Sequence, residues 1–329
     1  MDGFTQQSLN ETPCSLDTFS TIALWSGCKI NGEGLHEEGK MTVDDDAVRR
    51  AYWTSQLEEA HSFMMRVMDY PVIECGETFV PLGPAASEAG VEVAFSNLPH
   101  VQGLPRLFVL RQGQIRGFLQ AAQEMNRRGW VLKVEDGFRN RTMQKYIGRT
   151  PAVFDAILRK VLWELDGRTP DAAFMFKRAL TLTAQMPKTG THMSGSAIDI
   201  SVLDRATGEE IDRGGPYLEM SERTAMNSPF VSAAATRNRE EIVAIMSRAG
   251  FVAYPYEFWH FNSGDAYEGI LQGSREAARY GAVDWDPATG KIVPIMEPTQ
   301  PLNEMAEIEA EIKASLQRAK RVGETVPGA

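Results

Sequence analysis

Helix and strand patterns follow one another in this chain without a regular rhythm, and this order constrains the fold more than any other feature. Apolar residues recur at helical spacing between Ile115 and Met125, and an alternating strand pattern follows at residues 130–134. The other predicted elements are strands at residues 106–110, 197–203, 251–253 and 258–262 and helices at residues 44–69, 151–165 and 237–249. A regular strand–helix–strand repeat would favour a parallel sheet. Its absence predicts an α+β fold, with a central antiparallel sheet flanked by helices.

Both ends of the chain extend beyond this central pattern. Residues 1–42 show weak periodicity and are expected to form an irregular arm before the helix at residues 44–69. Prolines at positions 294, 298 and 301 predict an extended linker, and a charged helix follows it. We therefore divide the chain into an N-terminal arm and helix packed on the core (residues 1–90), a main domain (residues 91–293), and a linker with a C-terminal helix (residues 294–329).

An apolar stripe runs along the predicted C-terminal helix. Its members are spaced to lie on one face, and they are Met305, Ile308, Ile312, Leu316 and Ala319. We expect this stripe to dock on the body of the same chain. The alternative is that the stripe forms a homo-oligomer contact.

The charge and cysteine content of the 329-residue chain exclude several classes of partner. A net charge of −10 opposes a broad phosphate-binding surface, so neither nucleic acid nor an anionic membrane is an expected partner. Three cysteines cannot all pair and form no CxxC motif, which fits a reducing compartment. The first basic residue is Lys29, so the basic start of a secretory signal is not visible. These features predict a cytoplasmic location.

The first chemically suggestive segment joins a glycine-rich loop to a strand. His192 lies in the loop, and Asp199 follows seven residues later on the strand. Alternate positions of this strand carry apolar residues, namely Ile198, Ile200 and Val202. Asp199 is therefore predicted on the opposite face. A carboxylate among so many apolar residues is costly unless it is paired or binds a metal.

The second segment places Glu257 three residues before His260 in an aromatic strand. Residues three apart in a regular strand face opposite sides, so Glu257 must lie in the preceding turn to act with His260. Two imidazoles and one carboxylate, from His192, His260 and Asp199, form the ligand set of a catalytic zinc site with a fourth position for water. Glu257 beside that water would serve as general base. Taken singly, such residues are more often capping groups or satisfied members of a core, so the inference depends on their coming together.

Together with an upstream segment, these residues resemble a known family. The motifs are Asp136-Gly137-Phe138-Arg139, then His192-x-x-Gly195-x-Ala197-x-Asp199, then Glu257-x-Trp259-His260. Their order is similar to that in the zinc D-alanyl-D-alanine dipeptidases and carboxypeptidases of the VanX and VanY type. The resemblance covers about residues 90–290 and is strongest to the dipeptidase branch.

The resemblance implies a role for each of five residues. It implies that His192, Asp199 and His260 hold Zn²⁺ as the cofactor, which makes residues 91–293 the catalytic domain. Glu257 would be the general base and acid. Arg139 would stabilise the negative charge that develops on the amide oxygen during hydrolysis.

Two positions leave alternatives open. Arg139 could instead form a structural ion pair with Asp136 or Glu135. Gly190 stands where the family usually has a serine that is implicated in holding the substrate. This departure predicts weaker discrimination for D-Ala-D-Ala and leaves room for a bulkier or differently capped amide.

The sequence therefore predicts a zinc metallopeptidase that cleaves a small dipeptide, D-Ala-D-Ala by resemblance. A zinc amidase acting on another small amide and a D,D-carboxypeptidase acting on peptidoglycan stems are the alternatives within the same chemistry. A non-catalytic, zinc-stabilised binding module is the alternative from a different class. A chelator distinguishes the two classes, because an enzyme loses turnover reversibly whereas a structural module mainly loses stability.

Overall fold

The computed structural model describes residues 43–322 of the chain. The helices are α1 (Val43–Asp69), α2 (Leu82–Glu88), α3 (Ile115–Arg127), α4 (Arg141–Ile147), α5 (Pro151–Glu164), α6 (Ala172–Thr183), α7 (Ala233–Arg248), α8 (Ala266–Leu271) and α9 (Met305–Val322). The strands are β1 (Phe79–Pro81), β2 (Val93–Phe95), β3 (Val109–Arg111), β4 (Trp130–Asp136), β5 (Ala197–Asp204), β6 (Val252–Ala253), β7 (His260–Asn262), β8 (Val283–Trp285) and β9 (Ile292–Pro294). The arm predicted at residues 1–42, which contains Cys14, Cys28 and His36, lies outside the described residues.

The central sheet has five strands in the order β2–β4–β5–β7–β6. The pairs β4–β5, β5–β7 and β7–β6 are antiparallel, whereas β2 at one edge runs parallel to β4. The predicted α+β fold with a mostly antiparallel central sheet is therefore confirmed, and the parallel edge strand is the one exception within it. Two further antiparallel pairs, β1–β3 and β8–β9, form small separate sheets.

One face of the central sheet carries the main hydrophobic core. Ile198, Ile200 and Val202 of β5 are fully buried there, in one cluster with apolar residues of α3 and α7. Burying such a side chain contributes ~1.5–3 kcal/mol, so three of them fix which face of β5 turns inward. Asp199 belongs to the opposite face, as the alternation along the strand predicts.

The terminal helices pack on the body that this sheet organises. In α9, Ile308 and Ile312 are buried against α5 and α6, which confirms the expected docking of the apolar stripe. A homo-oligomer contact through this helix stays a prediction, as do the domain boundaries at residues 90 and 293. At the other end, α1 packs on α5, α6 and α8. Within residues 43–322, no helix is long and apolar enough to cross a membrane.

The differences from the sequence prediction concern mainly short elements. Helices α2, α4, α6 and α8 are absent from the sequence prediction. A helix of six or seven residues, such as α2, α4 or α8, is too short for a 3.6-residue period to show. The strand expected at residues 106–110 is displaced to β3, where it pairs with β1 rather than joining the central sheet. The strand expected at residues 258–262 begins only at His260.

Candidate active site

Three adjacent strands bring acidic and imidazole side chains to one level of the central sheet. Asp136 of β4 pairs with Asp199 of β5, and Asp199 pairs with His260 of β7. A register shift between Val134 and Asp136 interrupts the pairing of β4 with β5, and such irregularities re-aim side chains. Opposite residues of an antiparallel pair have Cβ atoms ~4.5–5.5 Å apart, so the sheet itself places Asp199 beside His260.

His192 reaches the same place from the loop before β5. It lies in the short 3₁₀ helix Thr191–Ser194, which ends at Gly195 in the left-handed conformation with φ of 69°. A Cβ atom at Gly195 would collide with the ring of Phe79, so a larger residue would be strained and blocked at once. The glycine of the motif therefore allows the tight turn that carries His192 to the sheet.

The three candidate ligands converge in a buried cluster, which we call the metal cluster (His192, Asp199 and His260). One donor atom from each residue lies within 4.8 Å of the others. Asp199 Oδ1 is central, 2.9 Å from His260 Nδ1 and 3.3 Å from His192 Nε2. The histidine side chains are only 5% and 7% exposed, and that of Asp199 is 2% exposed. Two nitrogen donors and one oxygen donor thus face a common point away from bulk water.

Hydrogen bonds with residues outside the metal cluster orient its two imidazole rings. Nδ1 of His192 donates to the carbonyl oxygen of Gly137 at 2.6 Å, which leaves its Nε2 to face the cluster. That Nε2 is buried without a hydrogen-bond partner, which is costly unless something binds it. Nε2 of His260 lies 3.2 Å from Thr191 Oγ1, which leaves Nδ1 to face the cluster. Ligands oriented in this way by outer partners fit a metal site, and this donor set suits zinc.

Glu257 lies in the turn between β6 and β7, where its spacing from His260 requires it to be. Its Oε2 is 3.9 Å from Nδ1 of His260. Burial of the carboxyl group raises the pKa of Glu257 to about 7. A carboxyl group with a pKa near neutrality can both accept and release a proton, which is what general acid–base catalysis requires.

Arg139 bridges two of the aligned carboxylates. Its Nε donates to Asp136 Oδ2 at 2.7 Å, and its Nη2 donates to Asp199 Oδ2 at 3.2 Å. The same Asp199 oxygen accepts from the Tyr217 hydroxyl at 2.9 Å. The ion pair with Asp136 considered from the sequence is therefore present, whereas Glu135 pairs elsewhere. This pairing does not remove Arg139 from the site, because the residue also lines the adjoining cavity.

Sequence reasoning missed four residues that contact this site. Tyr217 and Thr191 contact members of the metal cluster, as described above. Nε2 of His100 lies 3.5 Å from Asp136 Oδ2, and Nη1 of Arg106 lies 3.3 Å from Asp136 Oδ1. His100 thus joins the site, although the sequence indicates only two histidines in chemical settings. His100 and Tyr217 lie in loops where no periodic pattern could indicate them, and Arg106 lies in the loop before β3, where the sequence predicts the start of a strand.

A cavity of about 540 Å³ opens beside the metal cluster. Glu257, Arg139 and Arg106 line its charged end. Apolar residues of α4, α5 and α6 and of the loop at Met220 also line the cavity, and we call this set the helical wall (Ile147, Ala152, Val153, Ala156, Leu182 and Met220). Gly190 also lines the cavity, and a Cβ atom there would lie 3.5 Å from the carbonyl oxygen of Met186, an ordinary contact. The position that departs from the family pattern therefore has room for a side chain.

The chain is similar in sequence to known peptidases. Residues 105–278 match the D-ala-D-ala dipeptidase family, Peptidase M15. A D-alanyl-D-alanine dipeptidase of Synechocystis is 26% identical over 221 residues, which cover 59% of this chain and 85% of that protein. A D-alanyl-D-alanine dipeptidase of Escherichia coli is 43% identical over 70 residues, so the match spans 21% of this chain and only 36% of the relative. The solved structure of the LdcB LD-carboxypeptidase is 18% identical, with a TM-score of 0.32 over 56% of this chain and 71% of that chain.

The family match covers more than half of the chain and includes all three motifs, at residues 136–139, 192–199 and 257–260. The chain belongs to the D-ala-D-ala dipeptidase family of peptidases. The resemblance drawn from the motifs is therefore confirmed. His100 and the terminal helices α1 and α9 lie outside the matched residues.

Proposed function

We propose that the protein is a zinc-dependent peptidase that hydrolyses the amide bond of a small D,D-dipeptide. The observation that carries this proposal is the convergence of His192, Asp199 and His260 beside Glu257 at one end of a cavity. The relatives named as D-alanyl-D-alanine dipeptidases support D-Ala-D-Ala as the reference substrate.

In this proposal His192, Asp199 and His260 would hold zinc. When bound, zinc supplies Lewis acidity to the substrate carbonyl and lowers the pKa of a water molecule to ~7. The Gly137 carbonyl and the Thr191 hydroxyl fix the two imidazole rings, so that their inward nitrogens keep their direction. The protein thus prepares the site before substrate enters.

Glu257 moves the proton. Its Oε2 accepts a proton from the attacking water and then donates that proton to the nitrogen of the leaving amine. A pKa of about 7 suits both transfers, because neither protonation state is strongly favoured at neutral pH. An amide in place of this carboxylate would accept no proton, so the role is specific to glutamate or aspartate.

Arg139 stabilises the negative charge that develops on the amide oxygen. Its hydrogen bonds to Asp136 and Asp199 fix the guanidinium before the reaction begins. A donor held in advance needs no reorganisation as the charge forms, and such donors contribute about 10²–10³ in rate. Arg106 and His100 lie beside Asp136 and help to hold this arrangement.

The alternatives differ in what fills the cavity or in whether chemistry occurs at all. A zinc amidase or a D,D-carboxypeptidase would use the same metal cluster and the same base on another substrate. A zinc-stabilised binding module would need no base, so the position of Glu257, 3.9 Å from His260, favours an enzyme. A cytoplasmic location, a homo-oligomer and the lack of nucleic-acid and membrane partners stay predictions.

A substrate panel with and without metal tests the proposal. The full-length protein is loaded with zinc and given D-Ala-D-Ala, an N-acyl-D-Ala and a peptidoglycan stem peptide, and released D-Ala is measured. We expect release from D-Ala-D-Ala that a chelator abolishes and added zinc restores. A protein that hydrolyses none of these substrates and only loses thermal stability on chelation contradicts the proposal and supports the binding module.

A further inference from the structure

The cavity is larger than the reference substrate needs. Its volume of about 540 Å³ lies within the ~300–1,000 Å³ typical of pockets that enclose drug-sized ligands. A dipeptide of two alanines offers only methyl side chains to such a space. A substrate that fills the cavity must therefore carry more bulk than D-Ala-D-Ala.

The charged end of the cavity is suited to a carboxylate. Arg106 and Arg139 both line it, and both form an ion pair with Asp136. Within the described residues, the other carboxylate that pairs with either of them belongs to the metal cluster. His100 adds a buried Nδ1 that has no hydrogen-bond partner. Arg139 also pairs with Asp199, whereas Arg106 shares Asp136 with Arg139 and keeps guanidinium donors for an anionic group of the substrate. The free carboxylate of a dipeptide belongs to its leaving residue, so that residue fits this end.

The helical wall is apolar and incompletely covered. Ala152 is exposed, and Val153, Ala156, Leu182 and Met220 are half-buried where they line the cavity. Val153, Leu182 and Met220 pack against the core between α5 and α6, and the part of their surface that stays uncovered faces the cavity. A hydrocarbon group placed against them would remove apolar surface from water on both partners, which is favourable.

Glu219 is the carboxylate next to the helical wall, and its Oε1 is already engaged. Glu219, which precedes Met220 and lines the cavity, accepts from Nη2 of Arg223 at 2.8 Å and from the hydroxyl of Ser221. Placing an ammonium group against apolar side chains without a carboxylate partner is costly. The group that packs directly on these apolar side chains is therefore hydrocarbon.

We propose that the substrate is a dipeptide whose amine-side residue has a bulky apolar side chain, which packs against the helical wall. Its leaving residue is small, with a free carboxylate that lies near Arg106. This inference rests on the proposed peptidase function and names the substrate class for that site. It also gives a physical reason for Gly190, since a larger residue there would narrow a cavity that this substrate fills.

Two dipeptides with the same leaving residue test the substrate class. D-Phe-D-Ala and D-Ala-D-Ala differ only in the side chain on the amine side of the scissile bond. With the zinc-loaded full-length protein, we expect kcat/KM for D-Phe-D-Ala to exceed that for D-Ala-D-Ala by about tenfold or more. This lies within the ~10–200-fold range by which apolar pockets discriminate between substrates. A kcat/KM for D-Ala-D-Ala that equals or exceeds that for D-Phe-D-Ala overturns the inference and leaves the peptidase function intact. Hydrolysis of neither dipeptide overturns the proposed function and this inference with it.

A cavity-filling variant tests the place at which the side chain binds. Ala156→Phe puts a ring into the helical wall, and we expect it to lower the ratio of the two kcat/KM values by about tenfold. Ala234→Phe is the matched control, because Ala234 is exposed on α7 and does not line the cavity. The control is expected to leave the ratio unchanged.

Thermal melting shows whether each variant is folded. If Ala156→Phe does not fold, Ala156→Val makes a smaller addition at the same place and is expected to lower the ratio by a smaller factor. A folded variant at Ala156 that keeps the wild-type ratio overturns the proposed binding place.

Discussion

The two ends of the cavity are built in different ways, and the difference separates chemistry from specificity. At the metal cluster, each side chain stands on a central strand or on a tight loop beside one, and each has an outer hydrogen-bond partner. The helical wall instead consists of apolar side chains from α4, α5, α6 and a loop. Chemistry requires donors fixed within fractions of an ångström, whereas apolar walls can change size without disturbing them. Substitutions at the charged end should therefore change turnover, and substitutions near the wall should change substrate preference.

Glu257→Gln should have the largest effect at the charged end. The amide keeps the shape of the side chain but accepts no proton, so we expect kcat to fall by roughly 10²–10⁴. Zinc content and melting temperature should stay close to wild type, as measured by metal analysis and calorimetry. Glu276→Gln, at an exposed carboxylate outside the cavity lining, is the control and should be fully active. A kcat above about a tenth of wild type would reduce Glu257 to a positioning residue.

Arg139→Gln should have the next largest effect. Removing the fixed guanidinium is expected to lower kcat by about 10²–10³, because the charge on the amide oxygen loses its donor. Arg141→Gln is the control, since Arg141 makes an ion pair with Asp284 in which both side chains are 50% exposed. If Arg139→Gln lowered only the melting temperature and left kcat unchanged, the structural ion pair with Asp136 would be its whole role.

Thr191→Val tests the outer support of the metal cluster. Valine keeps the shape of threonine but cannot accept from Nε2 of His260, so we expect zinc affinity to fall about 10–100-fold. Competition with a fluorescent chelator measures this change directly. Thr289→Val, in an exposed turn, should leave the affinity unchanged. Equal affinity in the wild type and in Thr191→Val would show that His260 is oriented without the hydroxyl.

Gly190→Ser should have the smallest effect, and it probes specificity. The cavity accepts a Cβ atom at Gly190, and the added hydroxyl could hydrogen-bond D-Ala-D-Ala, so we expect kcat/KM for this dipeptide to rise by up to roughly tenfold. Gly190→Ala adds the carbon without the hydroxyl and serves as the matched control. Equal values for the serine and alanine variants, or no gain over wild type, would mean that the missing hydroxyl is neutral.

Much of the metal cluster and Glu257 was predictable because these residues follow local rules. Alternation along β5 puts Asp199 opposite Ile198 and Ile200, and the three-residue spacing from His260 requires Glu257 to lie in a turn. Both rules act within a few residues, so one sequence is enough to apply them. The element order likewise predicted the antiparallel centre of the sheet, and the parallel pairing of β2 has no local signal.

The rest of the site depends on contacts between distant segments. His100 and Tyr217 lie in loops without periodicity, and only the folded chain brings them to Asp136 and Asp199. Of the helices that form the helical wall, α5 was predicted at residues 151–165, whereas α4 is too short to show a period. For α6 a signal did exist, since Asp171 caps the helix by accepting from the backbone N–H of Phe174.

Zinc content and turnover, measured together in one histidine variant, test the central claim most directly. We expect about one zinc ion per chain in the wild type, and loss of both zinc and D-Ala-D-Ala hydrolysis in His260→Ala, because two remaining protein ligands are too few to hold the ion. His61→Ala is the matched control, since His61 is half-buried on α1 and does not line the cavity, and it should keep both zinc and turnover. A folded His260→Ala protein with a full complement of zinc would contradict the assignment of the metal cluster.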